Sequence, residues 1–116
     1  MDETALTTAR KELQAARTAR REGFEGRSRV NARRAVAALL TGYYRETTGS
    51  APTQNGYALI EYASQDLGLP AEIRSMLVAL CTRVNIDFSL DSDMDLLIIS
   101  ETLLDFFAGG TFAPIN

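Results

Sequence analysis

The side chains that carry most proton-transfer and metal chemistry are nearly absent from this chain. Among its 116 residues there is no histidine and one cysteine, Cys81. A Ser-His-Asp triad and a Cys-His dyad both need an imidazole. Tetrahedral zinc needs Cys and His ligands in numbers this chain does not have. What the chain does offer is guanidinium. Arg17, Arg20, Arg21, Arg27, Arg29, Arg33 and Arg34 fall within one short stretch. Planar guanidinium forks suit phosphate oxygens, so one reading is a patch for nucleotide or RNA. The competing reading is a solvated face that pairs with acids of the C-terminal half or with a second subunit. The stretch has no glycine-rich phosphate loop and no run of interleaved aromatics beyond the single Phe24, which favours the second reading.

The remaining polar groups are weaker signals. Arg83 and Asp87 are four apart and suit an i,i+4 ion pair. Asp91, Asp93 and Asp95 alternate like the start of a calcium loop. Leu96 stands where that loop needs glycine, and Thr102 stands where it needs glutamate, so the calcium reading fails. Glu61 and Asp66 add acids without a ligand spacing. Tyr43, Tyr44 and Tyr62 have ring faces for a base, but tyrosine at helical spacing more often packs in a core or an interface. Cys81 lies on an apolar flank and reads as a small filler. No metal and no cofactor is expected.

Helices must position these groups. Leu6, Ala9, Leu13 and Ala16, followed by the stem of Arg20, recur at spacings of three and four and predict a helix over 3–22. Its many alanines allow close approach but bury little area. Gly23 and Gly26 bracket Phe24 in a turn. A second helix is predicted over 28–48, with Val30, Ala32, Val36, Leu39, Leu40, Tyr43 and Tyr44 inward and Gly49 as its C-terminal stop. The stretch 49–56 reads as a loop. A short helix over 57–67 has Tyr57, Ile60, Ala63, Ser64 and Leu67 as its inner line. A fourth, over 70–87, opens on Pro70 and buries Ile73, Leu77, Leu80 and Val84. A fifth, over 92–108, has Asp91 or Ser92 as N-cap and is apolar on most of its girth, except at Ser100, Glu101 and Asp105.

These patterns predict one all-α domain over 1–116, a five-helix antiparallel bundle with a four-helix core plus a short helix. The over-apolar fifth helix and the Ala-rich first helix favour a homodimer, since a small chain gains burial by pairing. Charge is split along the chain. Residues 1–50 hold ten Lys and Arg against six Asp and Glu, a net of +4, and residues 51–116 hold two against nine, a net of −7. The overall −3 argues against a general nucleic-acid coat and leaves a local basic face open. The polar, acidic N-terminus does not read as a signal peptide. The apolar runs are far shorter than the ~20 residues a membrane helix needs, and a lone cysteine suits a reducing compartment. A cytoplasmic protein is the expectation.

The helix order resembles the HEPN domain, the higher eukaryote and prokaryote nucleotide-binding domain. The residues carrying the resemblance are Ala9-Arg-Lys-Glu-Leu-Gln-Ala-Ala-Arg17, Ala32-Arg-Arg-Ala-Val-Ala-Ala-Leu-Leu40, Tyr43-Tyr44 with Thr48-Gly49, Ala58-Leu59-Ile60 and Leu67-Gly-Leu-Pro70. It spans residues 3–108 and rests on a pattern of helices and small residues. The resemblance implies a bundle that dimerises and that pairs, in toxin–antitoxin systems, with nucleotidyltransferase-like partners. Some members are metal-independent RNases with an Arg-x(4–6)-His motif. Arg83 is the one fit for the arginine, with Asp87 beside it. The histidine positions are Phe88, Ser89 and Leu90, none of which shuttles a proton. The expectation is therefore a non-catalytic binding or regulatory module with Arg29, Arg33, Arg34, Arg83 and Asp87 as ligand-binding candidates. The alternatives are a divergent RNase using Arg83 and a purely structural helical subunit.

Overall fold

A computed structural model of the chain describes residues 2–81 and 95–109. Five helices follow one another: α1 (Glu3–Arg21), α2 (Glu25–Thr48), α3 (Gly56–Ser64), α4 (Ala71–Cys81) and α5 (Leu96–Phe107). No strand occurs among the described residues, and the class is all-α. Arg83, Asp87, the predicted continuation of the fourth helix to 87, the 91–94 part of the acid triplet and the tail from 110 lie outside the described residues.

α1 and α2 form the backbone of the bundle. Ala9, Leu13 and Ala16 are fully buried against Ala32, Ala35, Val36, Leu39 and Leu40. The small side chains that bury little area are what let the two helices come close. Arg20 meets Glu25, and Glu12 accepts from Asn31 Nδ2 at 2.8 Å, so pairings widen from the turn and the two helices run antiparallel. α5 packs on the same pair. Its Asp95 meets Arg20 and its Glu101 lies near Arg17, so it is antiparallel to α1 and parallel to α2. α3 and α4 close the remaining side with Leu59, Ile60, Ile73, Leu77 and Leu80 in the core.

Several local expectations are corrected. α2 begins at Glu25 and takes Gly26 into its first turn, because Gly23 (φ +86°) makes the reversal alone. α3 stops at Ser64, not at 67. Asp66 Oδ1 accepts from Gly68 N at 2.9 Å in a side-chain turn that competes with helix continuation. Leu67 is therefore exposed (83%) rather than inward, and Tyr57 and Val30 also face out. Pro70 flanks α4 and lends its carbonyl to Arg74 N. The N-cap of α5 is Asp95, not Asp91 or Ser92, since its carboxylate accepts from Leu97 N and Ile98 N. Ser100 is buried, whereas Ile98 is exposed, so α5 turns its Leu96, Leu97, Ser100, Leu103 and Phe107 side inward.

Candidate functional site

The structure splits the basic stretch into two groups with different fates. The first is bound up in the fold. Arg20 forks onto Asp95 with two 2.9 Å hydrogen bonds and reaches Glu25 Oε1 at 3.1 Å. Arg17 Nη1 stands 3.8 Å from Glu101. Arg21 donates to Thr18 Oγ1, and Arg27 lies over the Phe24 ring at 4.9 Å from its centroid. For Arg17 and Arg20 the reading of pairing with C-terminal acids holds. The hydrogen bond from Arg20 holds the Asp95 carboxyl below its ordinary value, with the Ile98 and Leu97 amides assisting against the effect of burial.

The second group is Arg29, Arg33 and Arg34 on α2. Arg33 is half-buried, and its Nε donates to the Leu80 carbonyl at 2.9 Å. One step along, Tyr57 Oη donates to the Cys81 carbonyl at 2.8 Å. Thus α2 and α3 each send one side chain to a backbone carbonyl of the last described turn of α4. This contact fixes the Arg33 guanidinium in place. Burial lowers its pKa. Tyr57 opposes that effect, and the neighbouring Arg29 adds to it. Guanidinium remains charged throughout the physiological range.

Arg33 and Arg34 line a crevice of about 180 Å³ with Val30, Ala37, Tyr57 and Ile60. Gly56 completes it. A Cβ there would stand 3.2 Å from Ala37 Cβ, so glycine permits the approach of α3 to α2 that forms the crevice floor. Arg34 is exposed, and Arg29 is half-buried one turn before Arg33. No carboxylate pairs with any of the three among the described residues. Cys81 is half-buried nearby. Burial, with Glu61 adding and Arg33 opposing, raises its thiol pKa, so it stays protonated at neutral pH and is a poor nucleophile.

Of the five candidates the structure brings Arg29, Arg33 and Arg34 to one side of α2, while Arg83 and Asp87 lie outside the described residues. Sequence reasoning missed Tyr57, which it placed in the core. The signal was present in Asn55, whose side chain caps α3 by accepting from Ala58 N and so sets Tyr57 in the first, outward turn. It also missed Tyr44 donating to Asp66 at 2.7 Å, which ties α2 to the turn after α3. Among the described residues no three His, Cys, Asp or Glu side chains gather around a metal-sized site, and no helix is long and apolar enough to cross a membrane.

Fold and crevice together define an all-α helical bundle with a cationic, partly apolar recess between α2 and α3. No family model, no curated protein and no solved structure matches the chain.

Proposed function

We propose that the chain is a non-catalytic, HEPN-like binding module that takes a single-stranded, phosphate-bearing nucleic acid at the Arg33–Arg34 crevice, with Arg29 one turn away. The observation that carries this reading is the crevice itself. Arg33 and Arg34 line it without carboxylate partners among the described residues, beside a Tyr57 ring that is 44% exposed. Phosphate-gripping cations next to an accessible aromatic ring are the elements of single-strand binding. Size favours a strand over a free nucleotide. About 180 Å³ lies below the ~300 Å³ at which enclosed small-molecule sites begin, so the crevice holds one group of a longer ligand.

Fluorescence anisotropy with a labelled single-stranded RNA at low salt tests the reading. Three arginine–phosphate contacts give a slope of roughly −2 in log K against log salt. Arg34→Ala and Arg29→Ala, which leave the Arg33 contact to α4 intact, should each weaken binding several-fold. The absence of binding at about 50 µM protein would overturn the proposal. Cleavage of the probe that depends on Arg83 would replace it with the divergent RNase.

A second reading has one observation in its favour. The apolar floor of Ala37 and Ile60, with exposed Val30 at the edge, also suits an aliphatic side chain beside an acid on a protein partner. A nucleotidyltransferase-like partner, as the HEPN resemblance implies, belongs to this reading. It gives a complex with that protein and no affinity for RNA.

A further inference from the structure

A groove on the outer side of α3 has the opposite chemistry. It measures about 820 Å³ and is lined by Pro52, Glu61, Tyr62, Gln65, Asp66 and Leu67, together with smaller residues and no lysine or arginine. We propose that this groove docks an arginine side chain of a partner polypeptide, with an aliphatic residue of that partner covering Leu67. The inference stands apart from the cationic crevice and does not depend on it.

The lining is built for a cation. Asp66 is held in place from both sides, since Oδ2 accepts from Tyr44 Oη at 2.7 Å and Oδ1 from Gly68 N at 2.9 Å. Glu61 lies one turn earlier, on the exposed side of α3, and its carboxylate has no cationic partner among the described residues. Tyr62 shares the lining with them, 53% exposed, with its ring held at 76° to that of Tyr44 at a centroid distance of 5.5 Å. Carboxylates that share a groove with an exposed aromatic ring suit guanidinium better than ammonium, because the planar fork both stacks and bonds in pairs. Leu67 argues for a polypeptide over a free amine. It is 83% exposed at the groove, held there by the Asp66 turn, and an apolar neighbour on the same ligand would cover it. The groove is open to solvent along its length, which leaves room for the flanking backbone of such a ligand.

The test is an NMR titration of the full chain with a capped leucine–arginine–leucine peptide, alongside the same peptide with glutamate in place of arginine. The arginine peptide should shift the amides of 58–68 and leave those of 29–37 unmoved, and the glutamate peptide should shift neither. Tyr62→Ala should weaken binding about 3-fold and Glu61→Gln by about 2-fold or more, as expected for exposed cation–π and ion-pair contacts. Glu61→Gln should melt with the parent, whereas Tyr62→Ala loses its ring contact with Tyr44 and should be about 0.5–1.5 kcal/mol less stable, so binding is read well below both melting temperatures. No shift at millimolar peptide, shifts unchanged by both substitutions, or equal binding of the glutamate peptide would each overturn the proposal. So would a sedimentation result in which a second copy of the chain fills the groove and excludes the peptide.

Discussion

Asp95 carries two structural tasks, and substitutions can separate them. Its carboxylate caps α5 by accepting from Leu97 N at 3.0 Å and Ile98 N at 3.3 Å, and it accepts both arms of the Arg20 fork at 2.9 Å. Removing an N-cap costs about 1 kcal/mol. A fork of charge-assisted bonds is stronger than that when dry, but both side chains here are about one-third exposed (33% and 32%), so solvent screening reduces the pair to about 0.5–1 kcal/mol. Asp95→Ala should therefore lose about 1.5–2 kcal/mol, or about 6 °C in Tm for a chain of this length. Asp95→Asn keeps an acceptor for the cap and should lose only about 0.5–1 kcal/mol. Arg20→Ala should lose a similar amount, because its exposed bond to Glu25 adds little.

Urea unfolding followed by circular dichroism measures all of these, and the Arg20→Ala/Asp95→Asn double-mutant cycle should return about 0.5–1 kcal/mol of coupling. The pH dependence has a definite sign. The Asp95 carboxyl is held below its ordinary value in the fold, chiefly by Arg20. Its contribution is therefore complete above the unfolded value near ~3.9 and disappears as pH falls through the lower folded value. The gap between parent and Asp95→Ala should be flat from neutral pH down to about pH 5 and should narrow below about pH 4. A coupling near zero would refute the pair, and equal losses for Asn and Ala would refute the cap.

Three further substitutions test other parts of the fold. Ser100 is fully buried and its Oγ has no hydrogen-bond partner, so Ser100→Ala should hold or raise stability by up to about 1 kcal/mol in urea unfolding; a loss above about 0.5 kcal/mol would contradict this. Gly49 ends α2 at φ +93° with open space around it, so Gly49→Ala should cost about 1 kcal/mol through backbone strain alone. Gly26→Ala, also facing open space but inside the helix, should gain a few tenths of a kcal/mol, and the two melting temperatures should move in opposite directions. Tyr44→Phe should cost about 1–1.5 kcal/mol, because it removes the bond to the Asp66 carboxylate from a buried ring; an unchanged melting temperature would count against that bond.

Much of the fold was legible because the spacing of apolar residues decides which face of each helix is buried. Leu6, Ala9, Leu13 and Ala16 follow a period close to 3.6 and lie on the core line of α1. Tyr57 and Leu67 fit the same period in α3 and yet face solvent. Periodicity assumes that the helix continues, but the Asp66 side-chain turn ends it before Leu67, and the Asn55 cap starts it one residue early and sets Tyr57 in its outward first turn. The start of α5 was misplaced for a related reason. Asp91, Ser92, Asp93 and Asp95 are all good N-caps, and local propensity cannot rank them. The choice of Asp95 depends on a partner 75 positions away, Arg20, which no local pattern contains.

The same long-range choice divides the arginines. All seven of the 17–34 stretch read alike in sequence, and their roles depend on which helices approach them. Arg20 forks onto Asp95 at the start of α5 and is consumed in holding α5 to α1, while Arg17 lies 3.8 Å from Glu101 farther along α5. Arg33 faces α4, where its acceptor is the Leu80 backbone carbonyl. A carbonyl anchors guanidinium without neutralising it, so this contact fixes the geometry and leaves the full charge at the crevice. Arg29 and Arg34 flank it without a carboxylate partner among the described residues. A charge anchored by a neutral acceptor and bordered by two like charges is poised for an anion from outside the fold. In the Arg20 pair the anion is already internal. Exchanging the two environments should show the difference. Placing a carboxylate beside Arg33 and Arg34 by Val30→Glu, at the exposed edge of the crevice, should stabilise the free protein slightly and weaken RNA binding. The proposal fails if affinity for RNA is unchanged by that internal acid.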